Sequence, residues 1–395
     1  MEIKTLSELS VDGRGYYGIG ASAVEYSEDL PTYLRITDIK DDGTLNFDGL
    51  KSVDDENASS YLLHPNDIVF ARTGASTGRN YFYDGFDGEF VYAGFLIKFS
   101  IDPGKVNPKY VKYYCLSNDY KGWIHSFNTG STRGNINAQT LGSMPIPIPS
   151  RAQQNGIVSL LESLDNKVRI NELINKNLEQ QAASYYRYLF IENADPSWPE
   201  GTISDLGTVV GGSTPSKSKP EYYTDHGIAW ITPKDLSVDK SKFISHGADD
   251  ITELGLRNSS ASIMPPGTVL FSSRAPIGYI AIANGEVTTN QGFKSVVPKE
   301  EIGTAFIYYF LKNALPTIEN MASGSTFKEI SGSAMRTVPA IIPDGESIRV
   351  FTEFCAPLFQ QQRTLEAENR YLSLLRDSLL PKLMSGEIDV SDLSI

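Results

Sequence analysis

From residue 157 the apolar side chains recur in steps of four and three: Ile157, Leu161, Leu164, Val168, then Asn171 and Asn175, then Leu178, Ala182, Tyr185 and Leu189. A repeat of this period is the seam of a helix that packs along a second helix. Adding 194 to each number gives that second seam: Phe351, Cys355, Leu358, Gln362, Leu365, Asn369, Leu372, Arg376, Leu379 and Leu383. Polar Asn175 and Asn369 fall at the same step of both seams, and a buried Asn in a coiled coil costs stability while fixing register. A seam of 33 residues spans roughly 50 Å at the helical rise. The pattern predicts two long helices that pair as a rod holding two globules apart. The other reading is two independent surface helices, each laid on its own domain.

Ahead of each seam the pattern changes to short β-rich runs, one helical stretch, a Gly-Ser-Thr phrase and a proline-studded exit. The helical stretches are YVKYYCLSNDYKGWI from 110 and AFIYYFLKNALPTIENM from 305. The phrases are TGSTRGNI (129–136) and SGSTFKEI (323–330), with Gly130 and Gly324 again 194 apart, as are Pro145 and Pro339 of the exits. Upstream, NDIVFAR (66–72) faces GTVLFSS (267–273), Gly94-Phe95 faces Gly292-Phe293, and YLRITDI (33–39) matches WITPKDL (230–236) with Asp38 and Asp235 aligned. Offsets that drift by a few residues are what loop insertions produce between two copies of one domain. The expected fold class is α+β: two repeated β-rich α/β domains, at 1–150 and 193–343, each followed by a long helix, at 151–192 and within 344–395.

A chain of 395 residues is long enough for two or three cores. The opening MEIKTLSELS lacks the basic-then-apolar form of a secretory signal. The longest apolar run, Phe90 to Ile101, is broken by Lys98 and is too short to span a bilayer, so a cytoplasmic location is expected. Two cysteines, Cys115 and Cys355, make no disulfide framework. The net charge of −13 argues against a free-standing nucleic-acid binder, since such domains carry a basic surplus. Residues 1–150 hold 13 basic and 19 acidic groups and residues 191–343 hold 12 and 16, so neither globule is basic overall.

Candidate chemistry is sparse. His64, His125, His226 and His246 stand singly, outside any metal-ligand spacing. GGSTPSKS (211–218) approaches a phosphate-binding P-loop, but Ser216 replaces its second glycine and Pro220 blocks the helix that should follow. GRGYYG (13–18) fits a dinucleotide fingerprint by letter, yet it follows no apolar strand and precedes a poor helix. The Asn/Asp-Pro-Pro-aromatic loop of an amino-methyltransferase is missing, and no nucleophile or acid-base pair emerges. The sequence is expected to perform no covalent chemistry alone.

LSLLRDSLLPKLMSGEIDV (372–390) resembles the end of specificity (S) subunits of type I restriction-modification systems. PEGTISDLGTVVGGSTPSKSKPEYYTDHGIAWITPKDL (199–236) is similar to the opening of a target-recognition domain of that family. The stretch from YYGIGASAVEY to YLRITDIKDDGTL is similar to another such opening, and NKVRINELINKNLEQQAASYYRYLF (166–190) to the central spacer helix. The helix openings PSRAQQNGI and PDGESIRVF depart from the family's Pro-x-x-Glu-Gln. The resemblance implies a non-catalytic DNA reader, with two target-recognition domains separated by an antiparallel coiled coil. It further implies docking of two methyltransferase subunits that modify adenine, and recruitment of two ATP-driven restriction subunits. S-adenosylmethionine, ATP and Mg would sit on those partners, leaving this chain without a cofactor. A coiled-coil scaffold that reads no DNA is the alternative from a different class.

Two separated domains predict a bipartite, asymmetric target with an unread spacer, because half-sites on one face of DNA lie about 34–36 Å apart. Candidate DNA contacts in the first domain are Arg35, Thr37, Arg72, Arg79, Ser131, Thr132 and Arg133. In the second they are Lys217, Lys234, Arg274, Asn290, Gln291, Ser325, Thr326 and Lys328. Arg grips guanine or phosphate through its fork, and Asn or Gln can pair with adenine N6 and N7. Asn290 and Gln291 stand where the first domain has Tyr92-Ala93, and their other reading is a closed turn. The shared Gly-Ser-Thr phrases read either as backbone-phosphate contacts or as loop closures.

Overall fold

The run Asp67–Ala71 is buried at every position, as the unbroken apolar stretch Ile68–Ala71 requires of a strand covered on both faces, while buried Asp67 pairs with Lys98 at 3.1 Å. It lies inside an antiparallel sheet of order Tyr16–Tyr17, Leu96–Ser100, Asp67–Ala71, Asn80–Tyr83. A second sheet orders Ala23–Glu25, Lys51–Val53, Thr32–Leu34 and Phe90–Tyr92, the last pair parallel. Glu2–Thr5 pairs with Pro145–Ile148 as a separate ribbon. The helical stretch from 110 is split into Pro108–Tyr114 and Asn118–Ser126. Ser117 causes the break, because its side chain caps the second piece by accepting from Tyr120 N.

The second globule repeats this plan strand for strand. One sheet orders Gly207–Gly211, Lys294–Pro298, Val269–Ser273 and Ile277–Ala283, with Phe243–Ile244 added at its edge; the other orders Tyr223–Thr224, Asp249–Ile251, Ile228–Ile231 and Thr288–Thr289, the last pair again parallel. Glu200–Thr202 and Pro339–Ile341 form the matching ribbon. The aligned Asp38 and Asp235 do the same work. Their carboxylates accept from Arg35 N at 2.8 Å and from Thr232 N at 2.7 Å, closing the turn after each parallel strand.

One expected register is off by a residue. Ala93 N donates to Leu34 O and Asn290 N to Ile231 O, both at 3.0 Å, while Leu96 N donates to Ala93 O and Phe293 N to Asn290 O. Phe293 therefore corresponds to Leu96, and Gly94-Phe95 stands where Gln291-Gly292 does. The backbone ladder fixes this crossing whatever the side chains, so the matching Gly-Phe letters misled. Gly18 and Gly212 mark the same crossing, where a Cβ would lie 2.2 Å from Tyr92 O and 2.0 Å from Asn290 O. No other residue fits there.

The computed structural model describes residues 2–127, 135–324 and 328–390. It divides into two compact units, residues 1–167 with 372–395, and residues 168–371. The seams become helices Arg151–Arg187, extended by a π-turn through Glu192, and Gly345–Ser385. Every seam position is buried or half-buried. Within the first unit, Arg376 Nη1 meets Asp165 at 3.2 Å, and Gly156 lies against Val390. Within the second, Asn171 Nδ2 donates to Asn369 Oδ1 at 2.8 Å, Gln362 Nε2 donates to Asn175 O at 3.2 Å, and the rings of Tyr185 and Phe354 meet at 4.5 Å, tilted by 51°. In both units the numbering rises along one helix as it falls along the other, so the helices are antiparallel. That reversal is why Asn369 meets Asn171, and Asn175 stands level with Gln362. No helix among the described residues is long and apolar enough to cross a membrane.

Each globule is completed by both helices. Ile157, Leu161, Leu380 and Leu383 join the core of Phe70, Phe99 and Tyr113, while Tyr186, Phe190, Phe351 and Phe359 join that of Phe243, Phe306 and Tyr309. Lys242 adds a polar anchor in the second unit: it is buried, pairs with Glu179 and donates to Gln362 Oε1 at 2.7 Å. Glu366 accepts from Lys242 N and Phe243 N. Burial works against the Glu179 charge but is outweighed by Lys242 and Lys312, which hold its carboxyl below the usual range. Lys242→Ala should lower stability by about 3 kcal/mol, because it strands buried acceptors. Urea unfolding of the purified chain checks this, and a loss below about 1 kcal/mol would make the anchor equivalent to a surface pair.

Candidate nucleic-acid interface

Four strands of the second domain end on one open cavity of about 820 Å³. Thr214 and Lys217 follow Gly207–Gly211, Thr232 and Lys234 follow Ile228–Ile231, Arg274 follows Val269–Ser273, and Asn290 and Gln291 follow Thr288–Thr289. Five of the six described candidate residues of this domain thus converge: Lys217, Lys234, Arg274, Asn290 and Gln291. Lys328 is exposed but lies outside the lining, and Ser325 and Thr326 fall outside the described residues. Three cations and no carboxylate line the cavity. Low-dielectric walls carrying one sign of charge concentrate an anionic ligand.

The local chemistry is set by short hydrogen-bonded turns. Asn290 Oδ1 accepts from Gly292 N at 2.8 Å, so the turn reading of this residue is realised, with its amide nitrogen left over. Gln291 Oε1 accepts from the Thr214 hydroxyl. Arg274 Nη1 lies 3.3 Å from Glu329, whose other oxygen is 3.6 Å from Lys294 Nζ and 3.4 Å from Ser273 Oγ. Trp230, buried at the cavity wall, donates Nε1–H to Ser213 O at 3.0 Å. Thr214, Thr232, Trp230, Tyr279 and Lys294 were not singled out from sequence. Trp230 could have been found, because it matches Tyr33 in the same alignment that pairs Asp38 with Asp235.

The first domain keeps the frame and changes the lining. Tyr33 O–H donates to Ile19 O at 3.0 Å, the counterpart of the Trp230 bond. Ala93 and Gly94 replace Asn290 and Gln291, and Thr37 replaces Lys234. Arg35 is held by the Asp38 carboxylate and Gly49 O, which raises its pKa through the Asp38 hydrogen bond, and Arg79 forks onto Asp41. Both guanidinium groups therefore tie loops together. Thr37 Oγ1 lies 3.4 Å from Asp38. Arg72 differs: its guanidinium stacks over Tyr17 at 5.0 Å, and its buried Nε has no hydrogen-bond partner. Its carbonyl accepts from Ile136 N at 2.9 Å, just as Ser273 O accepts from Ile330 N at 3.1 Å. The segment after each Gly-Ser-Thr phrase is thus anchored at the same strand end, while Ser131, Thr132 and Arg133 fall outside the described residues. No cluster of His, Cys, Asp and Glu able to hold a metal occurs among the described residues.

A model of the type I restriction modification DNA specificity domain matches residues 33–180 and, a second time, residues 196–367. The chain belongs to that family. This specificity subunit is 42% identical over 151 residues to the type I restriction enzyme MjaIX specificity subunit of Methanocaldococcus jannaschii, a match spanning 38% of this chain and 35% of that one. It is 24% identical to the HindI specificity subunit of Haemophilus influenzae over 82% of this chain and 86% of that one. Its fold is that of the crystal structure of an S subunit from M. genitalium, with a TM-score of 0.57, 18% identity, and 97% and 95% of the two chains covered. Specificity subunits carry recognition rather than catalysis, so this chain is not an enzyme.

The Tyr33 and Trp230 bonds make a paired test of the shared frame. Tyr33→Phe removes only the hydroxyl and should cost about 1 kcal/mol, lowering the calorimetric midpoint by about 2–4 °C. Trp230→Phe also empties part of a buried indole site and should cost more. An unchanged midpoint in Tyr33→Phe would show that its hydrogen bond does not hold the frame.

Proposed function

We propose that the chain is the target-reading subunit of a type I restriction-modification complex and that each globule reads one half of a bipartite, asymmetric DNA target across an unread spacer. The observation that carries this reading is the carboxylate-free, three-cation cavity at four strand ends in a chain of net charge −13. Lys217, Lys234 and Arg274 supply phosphate and base contacts in the second domain. In the first domain Arg72, Ser131, Thr132 and Arg133 supply them. Asymmetry follows from one frame with two linings: Ala93-Gly94 offers no side-chain hydrogen bond where Asn290-Gln291 offers several.

The two long helices dock two methyltransferase subunits, which carry S-adenosylmethionine and act on adenine. Restriction subunits with ATP and Mg join that cytoplasmic complex. Exposed Ile170 and Leu173 on one helix and Tyr371 on the other supply apolar docking surface.

Single-molecule methylome sequencing of cells with and without the gene should reveal a two-part adenine-methylated target that vanishes with the gene. One uninterrupted target, or no change, overturns the proposal in favour of a scaffold. Arg274→Ala should weaken DNA binding of the assembled complex and reduce the slope of log K against log salt by about 1. Leu173→Asp should abolish co-purification of the methyltransferase while the circular dichroism spectrum stays unchanged.

A further inference from the structure

The hydrogen-bonding state of the second-domain cavity restricts which base it can read. Resting on the function proposed above, we infer that Asn290 is a specificity-determining residue that donates through Nδ2 to an acceptor-only base edge, that of guanine O6 and N7. Only an oxygen can accept from a backbone N–H, so the 2.8 Å bond from Gly292 N fixes the orientation of the Asn290 amide. The oxygen is directed at its own turn and the nitrogen is the outward group. A bidentate fork on adenine needs the oxygen and nitrogen aimed together at N6 and N7, and this arrangement does not present them so.

The amide and cationic neighbours carry the same polarity. Gln291 Oε1 is engaged by Thr214, leaving its NH₂. The Thr232 and Ser237 hydroxyls spend their protons on Asp235 at 2.7 Å and Lys234 O at 2.6 Å, so they add only acceptor lone pairs, fewer than the N–H groups around them. Arg274, Lys217 and Lys234 have no acceptor to offer. The cavity therefore presents an excess of N–H donors. Among major-groove base edges, guanine alone offers two adjacent acceptors without a donor or a methyl group. Cytosine, whose N4 is a donor, is the worst match.

Asn290→Asp tests this, because the carboxylate still accepts from Gly292 N while the outward donor becomes an acceptor. The assembled methyltransferase complex carrying the variant would be profiled by methylome sequencing and by binding to a duplex library. The expected result is loss of guanine preference at one position of one half-site, by at least about 10-fold for a single good base contact. The other half-site should stay unchanged, and affinity for unrelated duplex should fall by less than the loss at that guanine, since the added charge acts on every sequence alike. An unchanged motif overturns the inference, as does an equal loss on every sequence, which would mean a phosphate contact or general repulsion. A wild-type motif without guanine in either half overturns it while leaving the two-part reading intact. A wild-type motif that is not bipartite would instead remove the function on which it rests.

Discussion

The interaction on which everything else depends is the burial of both long helices in the core of each globule. Ile157 and Leu161 from one helix, and Leu380, Leu383 and Met384 from the other, sit in the same cluster as the strand residues Ile68, Phe70 and Phe99. Tyr186, Phe190, Phe351 and Phe359 do the same for the second globule. Each such aromatic or aliphatic side chain contributes on the order of 1.5–3 kcal/mol when fully buried, so the four or five in each globule together are comparable with a whole domain's net stability. Neither globule is finished by its own strands. The last described residues belong to the first unit for this reason, with Val390 closing over Gly156 and joining that core.

Because the helices are structural partners of both globules, polar groups along them favour the pairing that leaves fewest unsatisfied, although Asn171 Oδ1, Asn175 Oδ1 and Arg363 Nε stay without a partner. Asn171 donates to Glu368 and Asn369. Gln362 reaches both Asn175 O and Lys242. Such contacts contribute little net energy after desolvation, but an out-of-register pairing would strand several buried polar atoms at about 1–3 kcal/mol each. Register is thus set by polar groups and stability by apolar ones, as in two-stranded coiled coils.

Much of this was legible. The two seams, the strand runs at 67–71 and 269–273 and the equivalence of Asp38 and Asp235 all appear as periodicity or repeated letters, because burial and turn closure constrain residue type directly. The pairing of Asn171 with Asn369 was not, since a constant sequence offset carries no information about antiparallel direction. The one-residue slip at Gly94 has a similar cause: backbone hydrogen bonds set that register and any side chain satisfies them. Of the candidate contacts chosen by residue type, Lys217, Lys234, Arg274, Asn290 and Gln291 line one cavity. Residue type does not separate them from Arg35 and Arg79, whose forks are held by Asp38 and Asp41, nor does it show that Arg274 meets Glu329 through a single nitrogen. That distinction needs a partner's position, which no single letter encodes.

The acidic balance that first argued against nucleic-acid binding is resolved by distance. Charges separated by more than about 8–10 Å are screened at physiological salt, so a phosphate at the cavity would respond to Lys217, Lys234 and Arg274 and to the two nearby carboxylates, Glu329 beside Arg274 and Asp235 beside Thr232, and hardly to the many others. Several of those carboxylates are also neutralised locally, Asp41 by Arg79, Asp165 by Arg376 and Glu179 by Lys242 and Lys312. Net charge is a sum over the whole surface, whereas binding samples a patch about one screening length wide. On the proposed function, weak long-range attraction carries its own benefit: it lowers affinity for arbitrary duplex, which is almost wholly electrostatic, and would leave discrimination to the few donors able to reach a base edge.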